Sequence, residues 1–376
     1  MDNWEFWIGD YVSQESRERN DIEQASFKVE DELMQQQVIT NSESEREYIS
    51  GLVSVVIPTY NQVNFVKETF DSVLAQDYPN LQIIITDDGS TDGTVEIIQA
   101  YAGQYPNKVI AVLSENNTGI PANLNRGLRK VKGEYIAWLG GDDLMLPRKI
   151  SMQVELLQRR QDAVGCCHDA EVFQSQDGRV IGLFSELNNG KRALREGGVE
   201  LWFAQNYFML PSTMMIRADA APGHGFDERL RYLNDWLFDV EVFRKGKCVP
   251  INQVLCKYRR HENNVTGSSD ARSIACEETA VALSIIENRY PELYPLIKKQ
   301  RVLTYLGSAI RALIDKDLQG VRNHLKIAIR NGAMVRGTLV FIAITLYGKY
   351  IVKQLLLPQY QRSKIFVKLS RFLKSL

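Results

Sequence analysis

Four short apolar runs, spaced so that a helix-patterned segment fits between each pair, constrain this chain more than any other feature. They are Val53-Ser54-Val55-Val56-Ile57, Leu81 to Thr86, Val109 to Leu113 and Tyr135 to Leu139. Between the first two, Phe65, Val66, Phe70, Val73 and Leu74 recur at helical spacing, which predicts a helix over Asn64 to Ala75 with Asn64 as its cap. Thr94 to Tyr105 and Pro121 to Lys130 read as two further helices. Strands alternating with helices predict a parallel sheet covered on both faces, an α/β fold. Two of the runs end in acid: Asp87-Asp88-Gly89-Ser90-Thr91-Asp92 and Gly140-Gly141-Asp142-Asp143. Ligands of such sheets bind at the C-terminal ends of the strands. Carboxylates there suit a ribose, a base edge or a hard cation holding phosphates.

Beyond this stretch the alternation is less simple. Pro147 fits the first turn of a helix running to about Arg160. Val164 to Phe173 and Val180 to Phe184 read as strands about an Asp177-Gly178 turn. Leu210 to Arg217 reads as a strand, Leu233 to Arg244 as a helix and Gln253 to Arg259 as a strand. After Ser273 the pattern is helical, with Leu303 to Leu313 and Leu318 to Arg330 joined by Asp315-Lys316-Asp317.

Charge is distributed unevenly. The first fifty residues hold thirteen Asp and Glu against four Lys and Arg. From Leu318 onward there are eleven Lys and Arg and no acid. In the tail, Arg362, Lys364, Lys368, Arg371 and Lys374 interleave with Ile365, Phe366, Leu369, Phe372 and Leu373. Such a helix presents one apolar and one cationic face, suited to an anionic membrane surface. No nucleic-acid-binding module accompanies the charge, so nucleic acid is not expected as a partner. The apolar run Thr338 to Tyr347 is too short to span a bilayer, which takes about 20 residues. The start, Met1-Asp2-Asn3-Trp4-Glu5, lacks the features of a signal peptide, and the five cysteines lack metal or disulfide spacing, so a cytoplasmic protein is expected.

The ordered motifs resemble family 2 inverting glycosyltransferases with the GT-A fold. Ser54-Val55-Val56-Ile57-Pro58-Thr59-Tyr60-Asn61 is similar to that family's opening strand. It is followed in the family's order by Asp87-Asp88-Gly89-Ser90-Thr91-Asp92, Asn117-Thr118-Gly119, Asn125-Arg126-Gly127, Lys132-Gly133-Glu134-Tyr135-Ile136 and Gly141-Asp142-Asp143. Composition and pattern give an acidic extension over 1–50 and a helical region over 269–376, and the resemblance implies a GT-A domain over 51–268, mostly parallel in its sheet. It also implies a nucleotide-sugar donor, most simply UDP-linked, and a saccharide or lipid-linked acceptor of a bacterial surface polymer.

Residue by residue, the resemblance implies that Asp88 accepts from base or ribose, with Asp87 beside it. Thr59 and Tyr60, where the first strand stops, would turn backbone groups toward the base. Asp142 and Gly141 occupy the family's DxD region, Asp142 at the position that ligates Mg²⁺ or Mn²⁺; Gly140 replaces the first Asp, and Leu124 stands where many relatives carry Arg. Asp143 would orient the loop. Inverting displacement needs one base for the acceptor hydroxyl. The segment Gly225-Phe226-Asp227-Glu228 to Asn234-Asp235-Trp236 resembles the helix start that supplies it, making Asp235 the base and Asp239 its less favoured substitute. Tyr258-Arg259-Arg260-His261 is similar to the YRxH segment of bacterial members, with His261 as a metal ligand or a diphosphate contact and Arg259 as a phosphate partner. Asp169 is a possible acceptor contact. Trp202, Phe203, Tyr207 and Phe208 offer an acceptor surface or core packing.

The rival reading from another class is a non-catalytic nucleotide-sugar-binding or scaffold protein, with Gly140 as its sign. A nucleotidyltransferase would bring a Gly-rich basic loop after the first strand, where Pro58-Thr59-Tyr60-Asn61-Gln62 stands instead. A dehydrogenase would bring GxGxxG after a strand, and none follows.

Overall fold

A computed structural model describes residues 47–188, 194–204, 209–262, 264, 269–314 and 317–333. Most of the acidic extension (1–46), the run Thr338 to Tyr347, the basic tail, Tyr207 and Phe208 lie outside the described residues.

Four strands form the parallel half of the sheet: β1 (Ile49–Thr59), β2 (Leu81–Asp87), β3 (Val109–Leu113) and β4 (Gly133–Trp138). They are linked by α1 (Val66–Leu74), α2 (Thr94–Gln104) and α3 (Ile120–Leu128), in the order β3-β2-β1-β4. The chain continues as β5 (Leu144–Met145), α4 (Lys149–Arg159), β6 (Ala163–Gln174), β7 (Val180–Leu183), α5 (Phe184–Asn188), β8 (Met215–Arg217), α6 (Asn234–Phe243) and β9 (Lys247–Arg260). Beyond β4 the sheet runs β8-β6-β9-β5, with β7 on β6. β8 is antiparallel to both β4 and β6, while β9 runs parallel to β6.

Successive strand residues point to opposite faces, and the core divides accordingly. Val53, Val55 and Ile57 join Ile83 and Ile85 on one face, under α1 and α4. Val56 and Ile84 join Trp138, Leu237 and Phe238 on the other, under α3 and α6. Three helices close the described chain: α7 (Ser269–Arg289), α8 (Tyr294–Ile314) and α9 (Leu318–Arg330). Ala282, Leu283, Ile285 and Ile286 of α7, with Leu293 and Ile297, are buried in the same cluster as α6. The hydrophobic core therefore runs across residue 268.

Several boundaries move for local reasons. Asn64 does not cap α1; the Phe65 and Val66 N–H groups bond the Gln62 carbonyl, and no side chain caps the helix. Pro147 lies outside α4 because Arg148 adopts a left-handed φ of 68° and the helix begins after it. Leu210 to Arg217 is split by a 3-10 turn at Pro211–Thr213, leaving only three residues of strand. β1 runs on through Pro58 to Thr59, because the carbonyl of Pro58 still accepts, from Gly141 N–H at 3.2 Å.

The interior also holds polar and thiol groups. Lys149 is fully buried, donates to Gln153 at 3.0 Å, and has its ammonium pulled down to about 8 by burial. His168 is pulled down to about 3 by burial and stays neutral. Cys166, Cys167, Cys248 and Cys256 are free and buried on β6 and β9, and burial pushes the Cys166 and Cys256 thiols up.

Candidate active site

The site assembles at the C-terminal ends of β1, β2 and β4. Thr59 pairs with Asp87 in register, and its hydroxyl donates to the Asp87 carboxylate at 2.9 Å. Asp87 is fully buried and also accepts from Ser90 N–H at 2.8 Å and the Ser90 hydroxyl at 2.6 Å. It is a brace for the turn. Gly89, at φ 77°, lets this turn pass Asn116; a Cβ would lie 2.8 Å from the Asn116 carbonyl carbon. The Thr59 carbonyl, expected to face a base, instead accepts from Asp88 N–H at 3.1 Å and from Asn123 at 3.3 Å. The adjacent Tyr60 is 47% exposed, so its ring is the group free to meet a ligand.

Asp88 is held by four donors. Thr118 N–H and hydroxyl reach Oδ1 at 3.0 and 2.9 Å, Gly119 N–H reaches Oδ2 at 2.8 Å, and Arg126 reaches Oδ1 at 2.5 Å. Burial alone would raise its pKa, but these donors outweigh that and hold the carboxyl below its ordinary range. Asn117-Thr118-Gly119 and Asn125-Arg126-Gly127 thereby acquire physical roles that spacing alone did not assign. Asn125 also accepts from Phe226 N–H at 2.7 Å and donates to the Phe226 carbonyl and Glu228, both at 2.9 Å, tying the approach to α6 onto α3.

The second acidic turn is set by close packing. Gly141 leaves no room for a side chain: a Cβ there would meet Gln62 Oε1 at 2.2 Å and Thr59 Cγ2 at 2.7 Å. A Cβ on Gly140 would stand 2.9 Å from Asp142 Oδ1 and 3.2 Å from Asp143 Oδ2, so the Asp142 carboxylate leans over the position where the family's first Asp would stand. Immediately after the turn, β5 pairs with β9 (Leu144 with Lys257), which brings residues more than a hundred positions apart together. His261 Nε2 then lies 2.8 Å from Asp142 Oδ2, and Asn264 Nδ2 lies 3.4 Å from the same oxygen. The Phe65 ring packs on the His261 ring with centroids 4.6 Å apart.

Asp143 faces the interior and accepts from Ser212 at 2.6 Å and Arg259 N–H at 3.1 Å. Burial, and then the neighbouring Asp142 charge, push its carboxyl well above the ordinary range. The Arg259 guanidinium, expected to meet phosphate, is already engaged. It donates to the Asp142 carbonyl at 2.7 Å and to Glu68 at 2.5 Å, between the rings of Phe65 and Phe173. Its visible work is to hold the acidic turn. Asp169, a possible acceptor contact from the sequence, accepts from Ser185 N–H at 3.1 Å and secures the start of α5.

Asp142 supplies a carboxylate oxygen, which suits Mg²⁺ or Mn²⁺, and His261 an imidazole nitrogen, which suits a transition-metal ion such as Mn²⁺ better than Mg²⁺. Among the described residues no group of three or more His, Cys, Asp or Glu is placed to hold a metal. A cation here would draw its remaining ligands from elsewhere, and a diphosphate has oxygens of the right kind. The pair fits such an ion. A cavity of about 790 Å³ opens beside His261, with Asn61, Gln62, Arg179 and Arg260 in its wall.

Asp235 is the second residue of α6, its Oδ1 accepting from Trp236 N–H at 2.7 Å. Burial pushes its carboxyl up to about 6. Asp239, one turn on, accepts from the Trp202 indole at 3.1 Å, and burial followed by the Asp235 charge holds it well above the ordinary range. Trp202 is stacked on Phe243, and with Phe203 it is buried, so these two rings are packing. The described hydrogen bonds do not join Asp235 to the Asp142–His261 pair. α6 instead reaches the end of β4 through the Trp138–Phe238 ring contact at 5.6 Å.

Residues 54–217 match the model of Glycosyl transferase family 2. An uncharacterized glycosyltransferase of Rickettsia typhi is 30% identical over 223 residues, covering 58% of this chain and 67% of that protein. An uncharacterized protein of Mycobacterium bovis shares 30% over 223 residues, covering 58% and 61% respectively. In fold the chain is similar to Staphylococcus aureus TarS residues 1–349 in complex with UDP-GlcNAc, with TM-score 0.60, 16% identity and coverage of 81% and 89%. It is also similar to the Pyrobaculum calidifontis mannosyltransferase in complex with GDP-Man and Mn²⁺, with TM-score 0.50, 16% identity and coverage of 81% and 84%. A GT-A sheet, its acidic turns at the strand ends and these relatives agree: the chain belongs to family 2 of the glycosyltransferases.

Proposed function

We propose that the protein is a metal-dependent, inverting glycosyltransferase that moves a sugar from a nucleotide diphosphate, UDP-linked by preference, to a saccharide or lipid-linked acceptor. The observation that carries this reading is the meeting of Asp142 and His261 at 2.8 Å beside the end of β4. When bound, a divalent cation there stabilises charge growing on the departing diphosphate. Asp88, its carboxylate oriented by Thr118, Gly119 and Arg126, accepts from the nucleoside, and the exposed Tyr60 ring lies against it. Asp142 and His261 would hold the cation. Arg259 and Asp143 hold the turn that carries Asp142, and Arg259 meets phosphate only if Glu68 releases it.

Asp235 takes the proton of the acceptor hydroxyl as the new bond forms. A carboxyl raised to about 6 is ionised at neutral pH yet more basic than an ordinary carboxylate, which suits a general base. The membrane contact of the basic tail is proposed from sequence alone.

Thermal melts with a panel of UDP- and GDP-sugars, with and without Mn²⁺, test donor and metal together, because ligand binding to the native state raises the melting temperature. Metal-dependent stabilisation by at least one donor, lost in Asp142→Ala and in His261→Ala, is expected. Transfer or donor hydrolysis should vanish in Asp235→Asn. Full turnover in both Asp142→Ala and Asp235→Asn would sink the proposal, while donor binding without any turnover in the native chain would favour a binding protein.

A further inference from the structure

The helix that presents Asp235 has no cap of its own. α6 begins after Leu233, a residue whose side chain accepts no hydrogen bond, so the N–H groups entering the helix need an outside partner. That partner comes from α7, more than forty residues on. Glu278 Oε1 accepts from Arg231 N–H at 2.8 Å, and Oε2 accepts from Tyr232 and Leu233 N–H, each at 2.9 Å. Three successive backbone donors on one carboxylate fix the path of the chain up to the residue before Asn234. Glu278 is 8% exposed, and the residues one to two turns on along α7, Ala282, Leu283, Ile285 and Ile286, are locked in the core against α6. A carboxylate at a helix N-terminus is also favoured by the helix dipole.

We propose that Glu278 is a positioning residue for sugar transfer: through three backbone N–H groups it fixes the start of α6 and hence the placement of Asp235. The inference rests on the reading of Asp235 as the base. Glu278 touches no substrate in this account. Its charge matters as well as its reach: beyond burial, the Glu278 charge raises the Asp235 carboxyl, while Trp236 N–H and Asp235's own N–H favour its ionised form. Removing the Glu278 charge eases ionisation of Asp235. The C-terminal helices are thereby part of the catalytic apparatus and not an appendage to it.

The test uses the full chain with Mn²⁺ and the nucleotide sugar that raises its melting temperature most, following nucleotide release with water as acceptor. Glu278→Gln should lower kcat roughly tenfold, since small misplacements of a catalytic group are costly. Donor Kd should stay within about twofold, and the acid limb of the rate profile should move to lower pH. Glu278→Asp, which keeps the charge and loses reach, should retain the native acid limb with an intermediate kcat, and it stands in should the Gln variant fail to fold. Native kcat and acid limb in Glu278→Gln, with Asp235→Asn inactive, would overturn this inference alone. So would a parallel collapse of donor binding. Full turnover in Asp235→Asn would instead remove the base assignment on which the inference stands.

Discussion

Asp235 is pulled two ways by its surroundings. Burial favours its neutral form, raising its pKa from 3.8 to about 6, whereas its proposed task needs the carboxylate. The fold thus binds this proton more tightly than the unfolded chain does. The stability gained is present below the unfolded pKa and is lost as pH rises toward 6. At pH 7 the ionised group costs on the order of 2 kcal/mol. Asp235→Asn should therefore abolish turnover yet melt a few degrees above the native protein at pH 7, with the gap closing by about pH 4, as differential scanning calorimetry can check. The native rate should rise with pH through about 6 and then level. Asp88 makes the opposite case, since its donors favour the charge. Arg126→Ala removes one donor and leaves a buried carboxylate under-partnered, so donor affinity should fall about tenfold or more in a calorimetric titration.

The elements of the parallel half were legible because a strand buried on both faces is apolar throughout, and each run from Val53 to Leu139 is flanked by a helix of the right period. What sequence reading missed lay in contacts between distant segments. Asn64 resembles a cap, but Phe65 is the residue that matters there, spending its ring on His261 and Arg259. Asp142 and His261, two residues that the motifs single out, do meet in the structure. The engagement of Arg259 by Glu68, and of Asp88 by Arg126, was not legible, because nothing in local spacing encodes which cation reaches which acid. Gly127 shows how tightly α3 is seated: a Cβ would meet Val56 Cγ1 at 2.7 Å and Thr86 Cγ2 at 3.0 Å. Gly127→Ala should lift α3 from the sheet and cost about 1–3 kcal/mol in urea unfolding. It should weaken donor binding too, since Arg126 rides on the same turn.

At the scale of the molecule, the helical region and the sheet domain share one core. Arg289 near the end of α7 reaches Glu241 of α6 at 2.7 Å and Asp227 at 3.2 Å, and Glu241 is 2% exposed. A chain ending at residue 268 would strip Ala282, Leu283, Ile286 and Ile297 from that core, and burying each large aliphatic side chain is worth about 1.5–3 kcal/mol. Such a truncation should fail to give a monomeric, cooperatively melting protein by gel filtration and circular dichroism. Among the described residues no helix is long and apolar enough to cross a membrane. For the proposed membrane contact of the basic tail, vesicles with anionic lipid should retain the full chain at low salt and release it as ionic strength rises.

The four buried thiols on β6 and β9 give the molecule an internal clock. Those two strands lie side by side, and β9 is the strand that leads to His261 beside Asp142. A thiol reagent cannot reach Cys166, Cys167, Cys248 or Cys256 until these strands part. Pulsed alkylation read by mass spectrometry would then report how often the site comes apart, and a bound donor with its metal should slow that labelling in proportion to its grip.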